Sequence, residues 1–135
     1  MRLRSESELR QGLTKGLRAH HVIATPIESG TTGLGIPDLY IRTTKVSAWA
    51  ELKHIRQPFT YPFVVPFRPG QHAWLTQHHR LGGVSLLIMS TPTDIFVFKN
   101  KHIHEAYDKN MYNFISFSFV NFNVLEFIEW LDASR

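Results

Sequence analysis

The stretch from Gly33 to His54, GLGIPDLYIRTTKVSAWAELKH, restricts the fold more than any other part of the chain. Two short apolar runs, Leu39 to Arg42 and Val46 to Leu52, are divided by the polar turn Thr43-Thr44-Lys45. Such a pair predicts a β-hairpin. Alternate residues of a strand share a face, so Glu51 and Lys53 project together while Leu52 turns into the core. Asp38 opens the first strand and Glu51 closes the second, which brings both carboxylates to one end of the sheet. The Leu52 carbonyl is free there as a further oxygen ligand.

The rest of the chain fits elements around this hairpin. Ser5 or Ser7 caps a helix running to about Arg18, with Leu9, Leu13 and Leu17 as an apolar stripe. Val22 to Ile27 reads as a strand, and a loop rich in glycine and threonine follows from Ser29 to Gly35. Pro58, Pro62, Pro66 and Pro69 make Gln57 to Gly70 a long loop. Pro69 suits the first turn of a second helix reaching about Arg80, which Gly82-Gly83 ends. Val84 to Met89 and Asp94 to Phe98 are strands by composition. His102 to Lys109 is a short helix, Phe114 to Val120 a strand and Val124 to Leu131 a final helix. The order predicts an α/β fold, with residues 1–135 as a single domain.

Composition narrows the chemistry. The 135 residues suit one core rather than two, and the 43% apolar share is ample to pack it. There is no cysteine, which excludes disulfides, thiolate metal sites and a cysteine nucleophile. No apolar run reaches the roughly 18 residues of a membrane span, and MRLRSESELRQ lacks the apolar stretch of a signal peptide. The expectation is a soluble, cytoplasmic protein with no membrane partner. Its net charge of +4 is only mildly basic.

Two acids and a lysine at one sheet end suit an anionic substrate with a poor leaving group, as in phosphodiester hydrolysis. Carboxylates hold a hard cation that offsets developing charge and activates water, and a lysine positions that water or stabilises the phosphate. The competing reading is an ordinary amphipathic hairpin with solvated charges.

GIPDLY, WAELKH and PGQHAWLTQHHRLGGVSLLIMS resemble, in order and spacing, the VRR-NUC branch of the PD-(D/E)XK nuclease superfamily. There a G-[IFL]-P-D strand, an E-L-K strand and a Q-x-x-W-L helix recur together. The resemblance covers roughly residues 6 to 100 and extends to the archaeal and phage Holliday-junction resolvases. It implies a restriction-endonuclease-like core, a central mixed β-sheet flanked by helices. It implies a metal-dependent DNA endonuclease in which Asp38 and Glu51 ligate Mg²⁺ or Mn²⁺. Lys53 then acts on the water or the phosphate, and Gln71 reaches the site from the second helix. Branched, junction or flap DNA is the implied substrate and a homodimer the implied working form. The compact chain suits a phage enzyme acting in the host cytoplasm. A restriction-type or nicking endonuclease on the same core, and a non-catalytic nucleic-acid-binding domain, stay open. The proline-rich loop is longer than the family's connection, and the extension after Lys101 matches nothing known.

A fourth site member is expected on the first helix. Glu6 falls on the leucine stripe and Glu8 away from it, so Glu6 is chosen. Glu28 is a candidate outer acid or an exposed strand-end charge. Arg10, His54, Arg56, Arg68 and His72 are candidate contacts to a DNA backbone, with a solvated face as the alternative. The other histidines read as solvated or phosphate-facing, because no carboxylate is spaced with them as a zinc site needs. Phe59, Tyr61, Phe63 and Phe67 on the loop are expected to cover the core or a dimer contact, and Trp49, Trp74 and Leu75 to lie in the core.

Overall fold

Ser5 begins the first helix. Its hydroxyl oxygen accepts from the Glu8 backbone N–H at 3.1 Å, satisfying one of the donors that a helix start leaves open. Helix α1 (Glu6–Ala19) then buries Leu9, Leu13 and Leu17, as their spacing requires. These positions come from a computed structural model, which describes residues 2–27, 35–57 and 60–133. Glu28, residues 29–34 of the glycine- and threonine-rich loop, and Phe59 lie outside the described residues.

Strands β1 (Ile23–Pro26), β2 (Leu39–Arg42), β3 (Ser47–His54), β4 (Val84–Ser90), β5 (Asp94–Lys99) and β6 (Ile115–Ser118) form one mixed sheet in chain order. The expected hairpin is β2–β3, in a register that sets Leu39 against Ala50 and Ile41 against Ala48. Neighbours are antiparallel except β3 and β4, which run parallel. A parallel pair needs a crossover, and the proline-rich segment with helix α2 (Gln71–Arg80) supplies it. β3 runs to His54, beyond the expected end at Leu52, because Lys53 and His54 pair with Met89 and Ser90 of β4.

Two helices cover each face. On β4, Leu86 and Ile88 face α1 and α4 (Val124–Ala133), in a core with Leu17, Phe127 and Leu131. Leu87 and Met89 face the other way, with Leu75 of α2 and Ile103 and Ala106 of α3 (Lys101–Lys109). The tail after Lys101 thus adds β6 and α4 to the same sheet and core. Burying a side chain such as Phe127 contributes about 1.5–3 kcal/mol. A Cβ on Gly16 would meet Val124 Cγ2 at 2.7 Å, so α4 crosses α1 where a side chain is missing. The Thr43 hydroxyl donates to Asp132, tying the hairpin turn to α4.

Of the described loop aromatics, Phe63 and Phe67 pack on the core, whereas Tyr61 is 58% exposed. Phe63 is buried and stacks on Tyr112 at 4.4 Å, whose hydroxyl bonds the Phe63 backbone. Leu75 is buried as expected, but Trp49 and Trp74 are only half-buried. Helix α2 buries Gln71 and Leu75 alone, so the two indoles pair at its margin, their rings 5.6 Å apart. No helix among the described residues is long and apolar enough to cross a membrane.

Candidate active site

The end of the sheet where β2 starts and β3 finishes is assembled by two glycines. Gly35, at φ 88°, sits so close to the start of α2 that a Cβ would lie 2.2 Å from the Gly70 carbonyl oxygen. Only glycine fits that conformation and that gap. The contact sets Asp38, three residues after Gly35, and Gln71, one after Gly70, on either side of Glu51.

Asp38 Oδ2 accepts from the Leu52 N–H at 3.0 Å. That amide lies beyond the β2–β3 ladder, whose register ends at Leu39 and Ala50. The N–H and C=O of one strand residue leave on the same edge, so the Leu52 carbonyl is directed to the Asp38 side. Glu51 is 1% exposed. Its Oε2 accepts from Gln71 Nε2 at 2.8 Å and lies 3.3 Å from Lys53 Nζ. Gln71 Oε1 in turn accepts from the Arg68 N–H at 2.7 Å, so both ends of that amide are fixed. Glu51 Oε1 is buried with no hydrogen-bond partner.

Glu6 reaches this end from α1. One carboxylate oxygen from each of Glu6, Asp38 and Glu51 lies within 4.8 Å of the other two. Burial pushes the Glu51 carboxyl up to about 8, and Asp38 beside it adds to the rise against the opposing pull of Lys53. Burial also raises Glu6, again with Asp38 adding and Lys53, Arg68 and Arg10 opposing. An orphaned, buried carboxylate oxygen among further acids is costly by itself. A divalent cation removes that cost, and three hard oxygen donors with a nearby carbonyl fit Mg²⁺ or Mn²⁺.

Arg4, Lys53, His54, Arg56 and Arg68 border a groove of about 350 Å³ that opens beside Glu6. His54 Nδ1 lies 2.8 Å from Ser90 Oγ, and burial, then Arg56, lowers its pKa. Of the expected DNA contacts, the structure therefore gathers His54, Arg56 and Arg68. Arg10 lines a second groove of about 550 Å³ with Lys15, Arg18 and Ile27. His72 is not brought to either groove: its ring lies 4.2 Å from Tyr107 and 5.5 Å from His104.

Sequence reasoning missed the Gly35–Gly70 approach, for which the glycines themselves were the signal. It also missed a grouping of His72 with His104 and Asp108. The expectation that no carboxylate accompanies the histidines is corrected here: Asp108 lies one helical turn after His104. That spacing was visible, whereas His72 joins from another helix.

No family model matches the chain, and no curated protein matches it. Solved structures do. One is the 1.6 Å structure of Hjc, a Holliday junction resolvase from the archaeal hyperthermophile Archaeoglobus fulgidus. It aligns with a TM-score of 0.57 at 13% identity, covering 84% of this chain and 88% of that one. The chain shares that resolvase's fold. At such low identity the likeness is one of architecture, and the resolvase-like α/β sheet with helices on both faces is what it establishes.

Proposed function

We propose that the chain is a metal-dependent endonuclease hydrolysing DNA phosphodiester bonds, with Glu6, Asp38, Glu51, Lys53 and Gln71 as its site. The observation that carries the reading is the buried Glu51, held on one oxygen by Gln71 and Lys53 and left without a partner on the other. A solvated hairpin would not bury an acid in this way.

Asp38, Glu51 and the Leu52 carbonyl would hold Mg²⁺ or Mn²⁺, with Glu6 beside them. The cation, when bound, offsets charge that builds on the phosphate and makes water a better nucleophile. The chain's own groups do the rest. The Leu52 N–H fixes Asp38, and Gln71 fixes Glu51 Oε2, which leaves the buried Oε1 as the oxygen without a hydrogen bond. The Lys53 ammonium donates toward the attacking water or a phosphate oxygen, countering charge as the water oxygen bonds to phosphorus and the ester bond to the sugar breaks. Arg4, Arg56 and Arg68 along the groove track the strand's phosphates.

Branched DNA is the substrate class we assign, on the fold likeness to a Holliday junction resolvase. A four-way junction offers two equivalent strands, which a symmetric pair of chains would cut together. The test incubates the protein with four-way junction, flap, single-stranded and linear duplex DNA in Mg²⁺, Mn²⁺ or EDTA, alongside folded Glu51→Gln and Lys53→Met variants. Metal-dependent cutting of the junction, lost in both variants, is expected. Cleavage of linear duplex at a defined sequence instead would make it a restriction-type enzyme. Binding without cleavage of any substrate, untouched by the substitutions, would leave a nucleic-acid-binding domain.

A further inference from the structure

His72 on α2 and His104 and Asp108 on α3 present one ligating atom each, all within 4.8 Å of one another. Two of these residues, four apart on one helix, share a face, and the third comes from the neighbouring helix. The imidazoles of His72 and His104 lie nearly parallel, 12° apart, with centroids 5.5 Å apart. Tyr107 and Phe67 pack on the His72 ring, at 4.2 and 5.7 Å, and hold it in place.

One atom in this group is unexplained by packing. His104 Nδ1 is buried and makes no hydrogen bond, although Asp108 Oδ2 stands 3.0 Å from it. The nitrogen and the oxygen are close without forming a hydrogen bond, which leaves both as candidate ligands to a shared ion.

We propose that His72, His104 and Asp108 form a second metal site, selective for a borderline transition ion such as Zn²⁺ and separate from the three-carboxylate cluster. Two imidazoles and one carboxylate match the donor set of zinc, with water completing the shell. Magnesium, which prefers oxygen donors and keeps its water, is a poor occupant. The ion joins the first turn of α2 to α3. It therefore clamps the segment that carries Gln71 to the first helix of the C-terminal extension. The site stands whether or not the chain cleaves DNA.

The test uses the full chain carrying Glu51→Gln, which disables the carboxylate cluster, in buffer with excess Mg²⁺. Zn²⁺ is titrated by calorimetry, and histidine ring signals are followed by ¹⁵N NMR. One Zn²⁺ per chain is expected, shifting His72 and His104 but not His78 or His79. Adding His72→Ala or His104→Ala should weaken binding at least tenfold. Asp108→Asn, at an exposed position, should weaken it as well. Absence of Zn²⁺ binding, binding that survives all three substitutions, or shifts confined to other histidines would each overturn the site.

Discussion

Glu6, Asp38 and Glu51 gather three carboxylates against a buried lysine at one end of the sheet, whereas His72, His104 and Asp108 gather two imidazoles and one carboxylate between two helices. The first set is positioned by backbone: a strand alternation, the Leu52 amide and the Gly35–Gly70 approach. The second is positioned by side-chain packing on Tyr107 and Phe67. Donor hardness, burial and the rigidity behind each cluster therefore all differ. On the proposed readings the two sets take separate tasks, one for chemistry and one for bracing, and the way each is held supports that division.

The largest effect that probes this contrast is on catalysis. Lys53→Met keeps the length of the side chain and removes its charge, and cleavage in saturating Mg²⁺ should fall about 10²- to 10³-fold. His104→Ala under the same conditions should leave the rate unchanged. Equal losses in the two variants, measured by single-turnover kinetics, would abolish the division of labour.

Gln71→Ala comes next. Gln71 touches Glu51 rather than substrate, so it is a positioning residue, and its loss should cost about 10- to 100-fold in activity or metal affinity. A structural role alone would not move the Mg²⁺ dependence. The expected sign of positioning is a rise in the Mg²⁺ concentration needed for half-maximal rate, partly restored in Gln71→Asn, which keeps an amide donor, and not in Gln71→Glu, whose carboxylate cannot donate to Glu51.

What the sequence showed of these clusters follows the same division. Asp38, Glu51 and Lys53 were legible because strand alternation and a short turn fix their relation within one hairpin. Glu6 was legible because the leucine stripe says which side of α1 is covered. The elements were legible too, since apolar runs and glycine or proline stops mark them locally. The pairing of β6 with β5, and the seating of α4 on Gly16, were not, because they join segments whose sequence carries no sign of their partners. Trp74 was expected inside from its place on the second helix and Trp49 from its place on a hairpin strand, yet the narrow buried face of α2 leaves them at its margin. His72 was read with the basic residues around it, and nothing in the sequence points it instead at α3.

A smaller effect separates the clusters by pH. The Glu51 carboxyl titrates at about 8 in the folded chain against an ordinary value of 4.5. Between those values the metal-free folded state holds a proton that the unfolded state has released. Stability should therefore fall as pH rises through that window. Glu51→Gln should flatten the melting temperature against pH, and Mg²⁺ should raise it most near the alkaline end. A parent and variant with the same slope would mean that Glu51 is not the strained acid of the site.

The smallest expected effect is the one that most sharpens the contrast. His104 and Asp108 form a partly exposed pair in the absence of metal, with side chains 37% and 41% accessible. Pairs of that kind contribute about 0–1 kcal/mol, so His104→Ala should barely change the metal-free unfolding midpoint in urea. With Zn²⁺ present the parent should gain stability, because an ion that binds only the folded chain adds its binding free energy to folding. His104→Ala should lose most of that gain when excess Mg²⁺ occupies the carboxylate cluster. If the variant were instead destabilised without metal by much more than such a pair allows, the histidine would be bracing the helices by packing alone. The difference between parent and variant would then not respond to Zn²⁺. A difference that opens only when Zn²⁺ is added ties the bracing to the ion.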